Sequence, residues 1–231
     1  MRASLGSFGL LSSLIVAASA AAVSPLASLS NQDAVAGLKD ALLQGASKSV
    51  SQLGASGGFL DDPKVKIPLP DSIRRIETGL RLAGMGPQAD ELVVRMNRAA
   101  EMAVKESTPI LTDAVKKMSV QDAKGILTGP DDAATQYFQR TTSAQLTQRF
   151  LPIVQQMTAK VQLAQQYDSL AGEAAKFGLV QQQDATLDGY VTRKAVDGLF
   201  VVMAEQERAI RKDPMGAATG MAQKVFGMLG R

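Results

Sequence analysis

The chain has 231 residues, with 25 Lys and Arg against 22 Asp and Glu, so it has the length of one ordinary domain and too little net charge to name a partner. Cysteine, histidine and tryptophan are absent. That excludes Ser-His-Asp and Cys-His nucleophile systems, imidazole acid–base chemistry, disulfides and the usual zinc sites. The chain is 45% hydrophobic but only 4% aromatic, and the hydrophobic residues are led by Ala, Leu, Val and Met, which favours helices around a real core.

The first segment reads as a secretory signal over residues 1–22. Arg2 gives a short positive start, and Leu10, Leu11, Leu14, Ile15, Val16, Ala17 and Ala18 form an apolar run too short to span a bilayer. Small residues follow at signal-peptidase spacing, in Ala18-Ser19-Ala20 and again in Ala20-Ala21-Ala22, which puts the mature start near Ala21 or Val23. No cysteine is present to accept an N-terminal lipid. The expected mature protein is therefore soluble and periplasmic, and loss of Arg2 leaves 24 basic against 22 acidic residues, a net charge of +2.

After a short linker over 23–30, apolar residues recur at intervals of three and four almost throughout, which predicts an all-α single domain, an irregular multi-helix bundle over 31–231. The first helix starts at Ser30 or Asn31, presents Val35, Leu38, Leu42, Ala46, Val50 and Leu53 on one face, and stops at Gly54. Residues 54–70 carry glycines and three prolines and predict one long extended connection that tucks Phe59, Val65, Ile67 and Leu69 inward. Asp71 or Ser72 caps a second helix with Ile73, Ile76, Leu80 and Ala83 inward, Gly84 stops it, and Pro87 opens a third. That third helix buries Leu92, Val93, Met96, Ala100 and Ala103 and points Arg95, Arg98 and Glu101 outward.

A short helix follows from Ser107 and Pro109. Ser119 with Asp122 resembles a capping box for the next, which ends near Leu127 before Gly129-Pro130. Thr141, Thr142 and Ser143 punctuate before a periodic stretch through Leu146, Phe150, Val154 and Met157, with Pro152 kinking or dividing it. A Gln-rich loop over 178–188 leads through an Asp188 cap into a strong helix with Leu187, Val191, Ala195, Leu199, Val202, Met203 and Ile210 inward, and Glu205 and Glu207 on other sides. A short amphipathic helix at about 217–229, carrying Met221, Val225, Met228 and Leu229, ends the chain.

In this order, SKSVSQLGASGGFL, the IPLP step, MNRAAE, ILTGPDDAATQYFQRTT and YVTRKAVDGLF resemble a bacterial family known as domain of unknown function 4197, from about Ala36 to Phe226. The resemblance implies an exported or envelope-associated helical protein of Gram-negative bacteria. Many such relatives look like lipoproteins, from which this cysteine-free chain departs. It implies no catalytic residues.

The most polar segment is 128–142. It offers Asp131 or Asp132 for a cation or hydroxyl, Arg140 for an anion, and Thr135 and Tyr137 for orientation, which makes these five the candidate ligand-binding residues. The alternative is a helix start beside a Tyr137–Phe138 core pair in which at most one ring need be fully buried. Asp184, Thr186, Asp188 and Gly189 fall at calcium-loop spacing, yet Ala195 stands where the bidentate Glu belongs. Asp61-Asp62-Pro63 reads as a turn. Arg74, Arg75, Arg81, Arg95 and Arg98 are interleaved with acids and read as solvated faces, not as a nucleic-acid surface.

No catalytic set, metal site or cofactor is expected. The sequence favours a non-catalytic envelope protein of binding or structural type, holding a partner protein, a lipid or a small molecule. The alternative is a carboxylate-based periplasmic enzyme built around 128–142. Peripheral membrane contact through the last helix has weak support, because only Lys224 and Arg231 flank it.

Overall fold

The computed structural model describes residues 31–159, 164–165, 167–168 and 184–213. The expected leader, the 23–30 linker, most of the Gln-rich loop and the short C-terminal helix lie outside the described residues. Among the described residues the elements are all helical: α1 (Asn31–Gly54), α2 (Asp71–Leu82), α3 (Gly86–Val104), α4 (Ser107–Lys117), α5 (Val120–Thr128), α6 (Ala133–Thr158) and α7 (Leu187–Lys212).

The three longest inward stripes meet in the middle. α6 packs along α7 and α3, α3 also touches α7, and α1 lies across α3, α4 and α7. Phe138, Phe150 and Leu146 of α6 are fully buried there with Leu92 and Met96 of α3, Leu38 and Leu53 of α1, and Leu187 and Leu199 of α7. Each such side chain contributes roughly 1.5–3 kcal/mol of burial free energy. In the Leu199–Met203 run only Val201 stays partly exposed, as a helix buried nearly all round requires.

Several local expectations hold because their chemistry is short-range. Ser119 and Asp122 form the capping box of α5 in both directions. The α2 stop is a Schellman turn: Gly84 sits at φ +79°, its N–H donates to the Arg81 carbonyl, and the Met85 N–H donates to the Leu80 carbonyl at 2.8 Å. The Asp62 carboxylate accepts from the Lys64 N–H, so Asp61-Asp62-Pro63 is a turn.

Other expectations are corrected. Thr141, Thr142 and Ser143 do not interrupt α6, because each hydroxyl donates back to the carbonyl four residues earlier and stays within the helix. Pro152 does not divide that helix, which runs on through it to Thr158. The 54–70 connection is mostly turns through residue 65, and its longest stretch free of helix and turn is 66–70. α2 is capped by neither Asp71 nor Ser72, since Pro70 holds the N-cap position and Asp71 pairs with Arg74 at 2.6 Å.

Of the α2 face expected inward, Ile73 is buried and Leu80 partly so, whereas Ile76 is 49% exposed and Ala83 lies outside. α2 rests chiefly on α3, so a single line of contact covers only part of its apolar stripe.

Candidate functional site

The chain breaks at Gly129-Pro130 and restarts as α6, which brings the candidate residues to one helix N-terminus. They do not converge. Asp131 is exposed and stands 3.4 Å from Arg208. Asp132 occupies the N-cap position without a side-chain cap bond, and its carboxylate accepts from Gln136 at 2.9 Å.

Thr135 faces the interior, while Tyr137 and Arg140 lie roughly 140–160° further round the helix. The Tyr137 hydroxyl donates to the Ala114 carbonyl at 2.8 Å, and burial pushes its pKa up. Arg140 lies over the Tyr137 ring at 5.7 Å and 3.7 Å from Asp122. Tyr137 and Phe138 are both buried, edge to face at 5.8 Å, and of the two only Phe138 is fully enclosed.

The groups that gather the strongest polar contacts were assigned to the wrong faces by periodicity. Glu207, expected away from the core, is 8% exposed. Its carboxylate accepts from the Ala134 N–H at 2.9 Å, from the Thr135 N–H and hydroxyl at 2.9 Å each, and from Arg211 at 2.9 Å. It therefore caps α6 from α7, supplying the negative charge that a helix start favours.

Glu101, expected outward, is 4% exposed. It accepts from the N–H groups of Gly57, Phe59 and Leu60 at 3.1–3.3 Å and from Arg98 at 2.6 Å. It holds the turn that feeds Phe59 into the core. Both were detectable in principle: Glu207 lies on the Leu199, Met203, Ile210 stripe, and each Glu has an Arg three or four residues away on its own helix.

Asn97 completes the fastening of the 54–70 connection. Its carbonyl accepts from the Ile67 N–H at 2.8 Å and its amide donates to the Ile67 carbonyl at 2.9 Å, much as a neighbouring strand would. The Tyr190 hydroxyl donates to the Pro68 carbonyl at 3.1 Å.

A second polar group surrounds the start of α7. The cap is Thr186, whose hydroxyl accepts from the Gly189 N–H, and not Asp188, which accepts from the Thr158 hydroxyl. Asp168 accepts from the Leu187 N–H at 2.7 Å. Burial, then the nearby Asp188, raise its pKa against that bond. Asp184 receives both Nε and Nη2 of Arg193, at 2.8 and 2.7 Å. Arg193 and Lys194 each lie about 6 Å from the Tyr190 ring, and burial carries both Tyr167 and Tyr190 up to about 12, so both phenols are neutral at physiological pH.

The carboxylates at calcium-loop spacing thus face separate partners. Among the described residues no three acidic groups assemble to hold a metal ion.

Where α1, α6 and α7 meet, Leu42, Ala46, Phe138, Met203 and Ile210 surround a cavity of about 30 Å³ with Thr135 and Glu207 at its polar edge. That is space for about one water molecule, far below the few hundred Å³ of a cofactor or lipid pocket.

The family described as "Protein of unknown function (DUF4197)" matches residues 28–227. The chain belongs to this family. Its DUF4197 region begins just ahead of α1 and extends past the end of α7 at Lys212, so the domain is larger than the seven helices alone. No curated protein and no solved structure matches the chain.

Proposed function

We propose that this DUF4197 chain is exported and acts in the cell envelope as a non-catalytic binding or structural protein, with another protein as its partner. The observation that carries this reading is how the polar groups are engaged. Glu101 and Glu207, the buried carboxylates among the described residues, are each occupied by backbone N–H groups and an Arg. Such groups fasten loops and helix ends.

Thr135 and Tyr137 are likewise held by internal acceptors, and Asp131, Asp132 and Arg140 diverge on the surface. The small cavity where α1, α6 and α7 meet, about 30 Å³, has no room for a lipid or a cofactor beside Thr135. Export rests on the charged start, short apolar run and Ala-Ser-Ala spacing of residues 1–22.

The test is expression of the full chain in a Gram-negative host, with cross-linking in cells, fractionation and N-terminal sequencing. The reading predicts a chain beginning near Ala21 or Val23 in the periplasmic fraction, joined to a discrete protein partner. An unprocessed cytoplasmic chain, or a processed one that never cross-links, contradicts it.

A further inference from the structure

On the far side of the Gly45–Ile210 contact from the small cavity, α1 and α7 leave an open groove of about 470 Å³ lined by Leu43, Gln44, Gly45, Lys48, Gln206 and Ile210. Gly45 stands in the middle of α1, where glycine costs about 1 kcal/mol relative to alanine. A Cβ there would meet only Ile210, at 3.6 Å, so the present neighbours do not demand the glycine. A third element crossing closely at this notch would.

α7 ends at Lys212, less than one helical turn past Ile210, and eighteen residues, 214–231, follow Asp213 outside the described residues. The family match extends to residue 227, so most of this segment belongs to the domain. Its sequence places Met221, Val225 and Met228 at helical spacing, an apolar stripe about 10 Å long. The seven residues 214–220 reach up to about 24 Å, ample for a return along α7.

We propose that the groove between α1 and α7 is the seat of the chain's own C-terminal segment, with Met221, Val225 and Met228 laid against Leu43, Gly45 and Ile210. Two independent facts meet here: a groove that sets Leu43, Gly45 and Ile210 among four polar residues with no described element over it, and a domain that continues with an apolar stripe from the adjacent helix end.

The cysteine-free chain makes the test direct. Ser47→Cys, on the exposed edge of the groove, is paired with Val225→Cys in the full mature chain and treated with a short bismaleimide. The control pair uses Gln155→Cys, exposed near the opposite end of α6. A seated segment predicts intramolecular cross-linking of the groove pair at least about tenfold faster than of the control pair, through its higher local concentration. Circular dichroism identical to the parent verifies the fold of both variants. Equal rates, or no cross-link in the groove pair, overturn the proposal. Covalent dimers formed by the Ser47→Cys variant alone overturn it in favour of a second copy.

Discussion

At the scale of single residues, the fold depends on polar side chains that a hydrophobic pattern ranks as surface. Glu207 fills the N-terminus of α6 and is paired with Arg211, so Glu207→Gln removes the charge of that ion pair and breaks at least one of the N–H contacts. The expected loss is about 3 kcal/mol in urea unfolding, whereas Asp131→Ala, at an exposed pair, changes stability by less than about 0.5 kcal/mol. Equal effects would contradict the assignment. Asp168 supplies a signed pH dependence. Its folded-state pKa is raised by burial and by Asp188, so its favourable contribution is complete below the ordinary Asp value and is lost as pH rises through the folded value. Asp168→Asn keeps an acceptor for the Leu187 N–H while removing the charge. It is expected to raise stability at pH 7 and to leave it unchanged at pH 3; an equal gain at both would show that charge is not the cause. These positions were poorly legible because periodicity reports which face is apolar, not which charged group has a partner waiting inside that face.

At the scale of elements, what the sequence reveals is what local chemistry decides. The capping box at Ser119, the Gly84 stop and the inward stripe of α7 need only neighbours a few residues away, and the structure has them where the spacing puts them. α2 was less legible, because how much of an amphipathic face is covered depends on what the fold lays against it. The same distinction separates two classes of helical glycine. Gly198 lets Phe59 approach α7, and a Cβ there would stand 2.7 Å from the Phe59 ring. Gly198→Ala is expected to cost about 1–3 kcal/mol through overpacking, with part recovered when Phe59→Leu is added. Gly79 lies within α2 with open space around its would-be Cβ. Gly79→Ala is therefore expected to add up to about 1 kcal/mol, or a few degrees in Tm. Thermal melts of the three variants decide it: destabilisation by both alanines, or by neither, would contradict the packing described for Phe59.

At the scale of the whole molecule, the DUF4197 domain is a helical bundle in which α3, α6 and α7 carry the core and a long loop is tied down by Glu101, Asn97 and Tyr190. The candidate segment 128–142 was legible as polar but not as dispersed, since the spacing of Asp131, Thr135, Tyr137 and Arg140 along the chain does not say which partner each side chain meets. Export and a protein partner make a specific claim about what the mature molecule carries. Native mass spectrometry of the chain purified from a periplasm without chelators addresses that claim most directly, with Asp131→Ala, Asp132→Ala and Arg140→Ala beside the parent. The account predicts a chain cleaved near Ala21 or Val23, seen bare or with a protein partner, in the same state for all four proteins. A small-molecule or metal adduct on the parent that disappears in any of the three variants would contradict it and mark 128–142 as a ligand site.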